Sequence, residues 1–183
     1  MSNCFKWLGW WIGVSTAVVC MASTAFSIEQ AQTRMVDNVY RLSANFRFEL
    51  SEQIVEALHN GVPITLTLDM SIYRERSYIW DEQIASLTQS YQIRYQALTK
   101  QYMVKNLNTG LVDNFKDIQG AYENLDTLEN FPLIDSKLIS PDSRHYTMLR
   151  TRVDLDSLPV PLRLRAYFSS VWALSSEWYT CRM

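Results

Sequence analysis

The side chains able to do chemistry are few, and their spacing limits what that chemistry is. The chain of 183 residues holds two histidines, His59 and His145, and three cysteines, Cys4, Cys20 and Cys181. Nucleophilic catalysis needs a base beside the nucleophile. His59 closes a helical stretch and His145 opens an extended one, so a cap or a surface position is the plainer role for each. No Gly-x-Ser-x-Gly elbow occurs, and no histidine stands near Cys181 in sequence. A meeting of Cys181 with His145 in space is the one nucleophile–base pairing left open.

Metal binding asks for clustered His, Cys, Asp or Glu. Asp154 and Asp156 lie on one side of an extended run, a weak calcium corner at best; capping, or pairing with Arg150 and Arg152, is the commoner use of such carboxylates. There is no phosphate-cradling loop, since two of the five glycines lie in the first thirteen residues. No catalytic residue, metal ligand or cofactor site is nominated. The reading is a non-enzyme.

Arg150, Arg152, Arg163 and Arg165 are the best remaining candidates. On a shared face they would hold an anionic head group, a carboxylate ligand or an acidic partner. The plainer reading is a wet sheet face cross-paired with Asp69, Asp154 and Asp156, where exposed pairs contribute little. Trp80, Trp172 and Trp178 are candidate aromatic anchors. For Trp80, packing over a sheet edge is the expected position.

These residues must be positioned by strands. In Ser90–Lys105, Tyr91, Ile93, Tyr95 and Ala97 fall on one side of an extended chain and Gln92, Arg94 and Gln96 on the other. Past Lys100 the apolar Tyr102 and Val104 sit at even positions, so a bulge or tight turn belongs near 98–101. This stretch is the expected centre of an antiparallel sheet. Tyr40 to Phe48 and Ile64 to Ile72 also alternate, each with one face buried and one wet, the threonines of the second on the wet face. Thr147 to Leu155 alternate in the same way.

Two helices are expected. Ser51 caps Glu52–Asn60, with Ile54, Ala57 and Leu58 as its apolar stripe and Gly61 just past its end. Asn114 caps a second helix carrying Phe115, Ile118, Tyr122, Leu125 and Leu128. Gly120 weakens it by about 1 kcal/mol relative to alanine, which suggests close packing there. Residues 132–139 read as a short edge strand, Leu162–Phe168 as either helix or strand, and Trp172, Leu174, Ser176 and Trp178 as one face of a last strand. The fold class is α+β, mainly antiparallel β, with a curved or two-layer sheet and two helices packed against it.

The first residues are organised differently. Lys6, then an uncharged run from Trp7 to Ala25, then small residues at the exit, form the layout of a secretory signal peptide. Cleavage after Ser27 is the expectation, with cleavage after Ala25 nearly as well placed and a retained membrane anchor as the competing reading. Residues 28–34 then read as a polar leader to a single domain of residues 28–183. Location follows: the periplasm, or the inner membrane with the domain facing the periplasm. Without Lys6 the remainder has sixteen basic and nineteen acidic residues, about −3 net, which disfavours nucleic acid as a partner. It keeps one cysteine, Cys181, so no internal disulfide forms.

Arg152-Val-Asp-Leu-Asp156, Leu158-Pro-Val-Pro-Leu-Arg163 and Trp172-Ala-Leu-Ser-Ser-Glu-Trp178 resemble an exported proteobacterial family catalogued as domain of unknown function 4390. Gly61-Val-Pro-Ile64, the Trp80 corner and Tyr95-Gln-Ala-Leu-Thr-Lys-Gln-Tyr102 extend the resemblance over nearly all of the chain past residue 27. The resemblance implies a single domain with no assigned activity, cofactor or catalytic residue, encoded in many cases beside a membrane sensor kinase. A non-enzymatic binding or accessory module of the cell envelope is therefore expected, with an envelope or inner-membrane protein as partner. The alternative is a carrier holding an amphipathic or acyl ligand between sheet and helices, which requires a closed cavity of roughly several hundred Å³.

Overall fold

The computed structural model describes residues 25–183, so most of the expected signal segment lies outside the described residues. In chain order the elements are β1 (Phe26–Val36), β2 (Val39–Phe48), α1 (Glu52–His59), β3 (Ile64–Arg74), β4 (Glu82–Gln96), β5 (Gln101–Asn106) and β6 (Val112–Phe115). Then come α2 (Ile118–Leu125), β7 (Thr127–Asp135), β8 (His145–Val153), α3 (Val160–Tyr167) and β9 (Tyr179–Arg182). Every strand pairing is antiparallel, in a three-stranded sheet of order β1-β2-β7 and a six-stranded sheet of order β6-β5-β4-β3-β8-β9. The class is α+β as expected, with a third helix.

The two sheets bury their facing sides against each other. Leu42, Ala44 and Phe46 of β2 meet Leu68, Met70 and Ile72 of β3 and Leu149 of β8 in one cluster. Ile64 and Leu66, further back along β3, join Ile54, Leu58, Ala121 and Leu125 of the helices in the other. β3 runs through both clusters and has eight of its eleven residues buried, so it is the sheet's centre, between β4 and β8. The expected organising stretch is its neighbour: β4 and β5 form a hairpin whose turn covers residues 97–100, with Lys100 at φ 53° accounting for the change of parity.

Several local expectations are corrected. The polar leader is a strand: β1 pairs along its length with β2 through an Asp37-Asn38 turn in which both residues have positive φ, the conformation tight hairpins favour. Its polar outer face is that of an exposed edge strand, and Phe26 at its start is 1% exposed. The threonines of β3 are not on a wet face. Thr65, Thr67 and Ser71 are buried because β4 and β8 flank them on both sides, with Arg152 opposite Thr67 and Met148 opposite Ser71.

Asn114 lies in β6 rather than at a helix start. The N-cap of α2 is Asp117, whose carboxylate accepts from the Gly120 amide at 2.8 Å, and Leu128 belongs to β7. A Cβ on Gly120 would stand 3.3 Å from both Phe115 and Asp117, which is the close packing its presence suggested. Ser51 occupies the N-cap position of α1 without a side-chain cap; its hydroxyl donates instead to the Val171 carbonyl at 3.3 Å.

Candidate functional site

β8 sets out the arginines by alternation alone. His145, Thr147, Leu149, Thr151 and Val153 point into the core and are buried, so Tyr146, Met148, Arg150 and Arg152 point outward. The register with β3 places Arg150 opposite Asp69 and Arg152 opposite Thr67. Arg152 reaches across the diagonal: its Nε donates to Asp69 Oδ2 at 2.8 Å, and a second nitrogen lies 3.8 Å from Asp154. Asp69 also accepts from Thr88 at 3.1 Å.

Arg150 pairs with no carboxylate among the described residues. Its Nη2 donates to the Ser175 hydroxyl at 3.2 Å, its Nε is buried without a partner, and its guanidinium carbon lies 5.6 Å from the centre of the Trp178 ring. A cation over an indole face is attracted by the ring quadrupole.

Trp178 is placed there by a bulge. The Arg152–Ser175 bridge and the Leu149–Tyr179 pair enclose three steps of β8 but four of the C-terminal segment. One extra residue reverses the facing of everything beyond it. Ser176, before the extra residue, is buried and bonds both the amide and the carbonyl of Thr151, whereas Trp178, beyond it, emerges on the outer side; Trp172, in the preceding turn, sits in the core at 9% exposure. The expected common face of these residues does not form. The regular strand begins only at Tyr179.

Arg150, Arg152, Leu155, Asp156, Tyr167 and Leu174 line an open groove of about 220 Å³. Tyr167 donates to Asp156 across its rim, an interaction that pushes the phenol up. Arg163 and Arg165 are not in this groove; they belong to α3, where Arg163 donates to the Leu158 carbonyl at 3.0 Å. The four arginines form two separate pairs.

The other nominated residues are scattered. Trp80 does not pack over the sheet edge: with Tyr78 and Ile79 it stands exposed, at 90%, on the loop beyond Arg74. Asp81 closes that loop, accepting from the Tyr146 hydroxyl at 2.7 Å and the Arg76 amide at 3.1 Å, which hold its carboxyl below the usual range. The same bond pushes Tyr146 up to about 12.

His59 faces no carbonyl; its Nε2 is 2.5 Å from the Tyr102 hydroxyl and its ring packs edge-on to Tyr95. His145 is buried with Nε2 unpartnered. Cys181 is buried and donates from sulfur to the Ala31 carbonyl of β1 at 3.3 Å, so its bond is made to β1 and not to His145. Asp154 accepts from the Asp156 amide at 3.1 Å and forms a local cap. Among the described residues no group of three or more His, Cys, Asp and Glu side chains converges as a metal site.

The apolar crevice between the layers, lined by Phe46, Phe48, Leu66, Leu68, Tyr91 and Leu125, has a volume of about 30 Å³. That is room for about one water and none for an acyl chain.

These features define an α+β domain of two antiparallel layers with its sheet-borne cation in an open groove. The chain belongs to the family described as a domain of unknown function, DUF4390, whose profile matches residues 23–182. No curated protein and no solved structure matches it.

Proposed function

We propose that this chain is a non-catalytic binding module of the cell envelope, exported by its N-terminal segment, that takes an acidic group of a protein partner in the Arg150 groove. One observation carries the reading: Arg150 is held at its nitrogen by Ser175 and over its face by Trp178, while the carboxylate opposite it is taken by Arg152. A guanidinium oriented in this way and lacking an acid presents a fork suited to a carboxylate. The layout of residues 6–27 supports export, and the resemblance supports a partner in the inner membrane, a sensor kinase being the class it implies. The 30 Å³ crevice gives the carrier reading no support.

Photo-crosslinking in intact cells tests the proposal. A photoreactive residue replacing Ala173, which lines the groove and is exposed, is expected to give a discrete protein adduct that is lost with Arg150→Gln. An adduct indifferent to Arg150, or none, removes this reading.

A further inference from the structure

α3 turns several of its apolar side chains outward. Ala166 is buried and Leu162 half-buried against the domain, while Val160, Leu164 and Tyr167 stand exposed at spacings of four and three residues, with Phe168 beside them at 92% exposure. That spacing places them on one helix face. At about 100° per residue Arg165 falls on one flank of this face and Arg163 on the other, and the helix has no acidic residue. Asp156, bonded to Tyr167, is the carboxylate at its rim.

The position of this face is as informative as its composition. Ala25, near the end of the uncharged run that begins at Trp7, accepts from the Glu49 amide at 2.9 Å. Two residues on, Ser51 donates to Val171, which follows Phe168 by three residues. The apolar N-terminal run therefore joins the domain at the end that carries α3. Leu98, fully exposed in the β4–β5 turn, projects from the same end of the sheet, since Ile93 is paired with the first residue of β3. The exposed Trp80 loop leaves from the other end of β3.

We propose that α3 lies on the surface of an anionic bilayer, with Val160, Leu164 and Phe168 at the acyl boundary and Arg163 and Arg165 at the lipid phosphates. Exposed apolar side chains suit the acyl boundary, and flanking arginines extend their charge to the head groups. Attraction of cations to an anionic leaflet adds to it. This surface adjoins the Arg150 groove, whose rim shares Tyr167 and Asp156 with it; the α3 proposal rests on Val160, Leu164, Phe168 and the helix arginines and does not require the groove to bind a partner.

The test uses the full chain with Cys4→Ser and Cys20→Ser, reconstituted in vesicles of phosphatidylglycerol and phosphatidylethanolamine. A nitroxide is attached at Phe168→Cys, at Val160→Cys as a second site, or at Tyr78→Cys as the distant control. At 168 and 160 the label is expected to be shielded several-fold from a water-soluble nickel complex and open to oxygen, while 78 stays open to nickel. Arg165→Glu, or vesicles of phosphatidylcholine, is expected to reduce the shielding. Nickel access at 168 and 160 equal to that at 78 overturns the proposal. So does spin–spin broadening at 168 that vanishes on dilution with unlabelled protein, since a second copy would then cover the helix.

Discussion

Asp69 and Arg150 stand directly opposite each other on β3 and β8, yet the carboxylate of Asp69 is bound by Arg152, whose Nε lies 2.8 Å away. The arginine in register is thereby left to Ser175 and Trp178. The two arginines, alike in sequence and two residues apart, are expected to behave differently. Asp69→Asn removes a partly exposed pair and should cost about 1 kcal/mol or less. Arg150→Gln gives up the Ser175 bond and the Trp178 contact and should cost about 1 kcal/mol while abolishing the crosslink. Urea unfolding of both variants checks the stabilities; an Arg150→Gln protein destabilised by more than about 3 kcal/mol would show that Arg150 is structural.

Phe26 ties the folded core to the proposed cleavage of the N-terminal segment. It is 1% exposed and sits edge-on to Phe48 with ring centres 5.3 Å apart. Phe26→Ala is expected to cost about 3–5 kcal/mol, the usual loss for a buried phenylalanine. Cleavage after Ser27 would remove this residue, and cleavage after Ala25 would keep it. A protein beginning at Ile28 is therefore expected to melt well below one beginning at Phe26, and the N-terminal residue of the envelope form should be 26 if the segment is cleaved. Equal melting temperatures for the two would contradict the core role of Phe26.

What was legible in sequence follows from periodicity. β2, β3 and β8 alternate cleanly because one face of each meets the opposing layer, and the parity change near residue 98 marks the β4–β5 turn. β1 was not legible because Glu29, Gln30, Gln32 and Arg34 are polar; its identity as a strand comes from pairing with β2, a tertiary fact. The burial of the β3 threonines is not legible for the same reason: alternation tells faces apart but not what covers the second face. The bulge before Tyr179 leaves no mark in residue type, so the meeting of Trp178 with Arg150 was out of reach. Individual arginines can be named from sequence as candidates. Their separation into a β8 pair and an α3 pair cannot.

Cys181 should be slow to react. Its sulfur is buried between β9 and β1, bonded to the Ala31 carbonyl. In a protein with Cys4→Ser and Cys20→Ser, a maleimide is expected to label it at least tenfold faster in denaturant than in buffer, because alkylation needs an accessible thiolate. Equal rates would place the thiol at the surface and reopen intermolecular pairing.

The loop that carries Trp80 should loosen in acid. Asp81 is fully exposed but has its carboxyl lowered by the Tyr146 hydroxyl and then by the Arg76 amide. A carboxyl lowered in the native state adds stability above its unfolded value and loses it as pH falls through the folded one. Limited proteolysis at residues 77–80 is therefore expected to accelerate below about pH 4, the range where a free aspartate titrates. Tyr146→Phe should be cut faster at neutral pH and respond less to acid. A Tyr146→Phe protein with the wild-type pH profile would show that the bond does not hold the loop.

Asp126 gives the opposite sign. It ends α2, its backbone carbonyl accepts from Phe46 at 2.7 Å, and one carboxylate oxygen is buried without a partner. Burial raises its carboxyl, with Glu123 and Glu29 adding to the shift and Arg47 opposing it. The folded state then holds a proton more readily than the unfolded one, so stability falls as pH rises from the free value near about 4 through the raised one. At neutral pH the ionised group is a standing cost. Asp126→Asn keeps the shape and removes the charge, and should raise the melting temperature at pH 7. Below the free value both forms are neutral and the gain should disappear. Melting curves for wild type and variant at pH 7 and near pH 3.5 decide it, because the difference between the two proteins cancels every other titrating group. A gain that persists unchanged in acid would mean that the introduced amide makes a hydrogen bond of its own and that charge was never the cause.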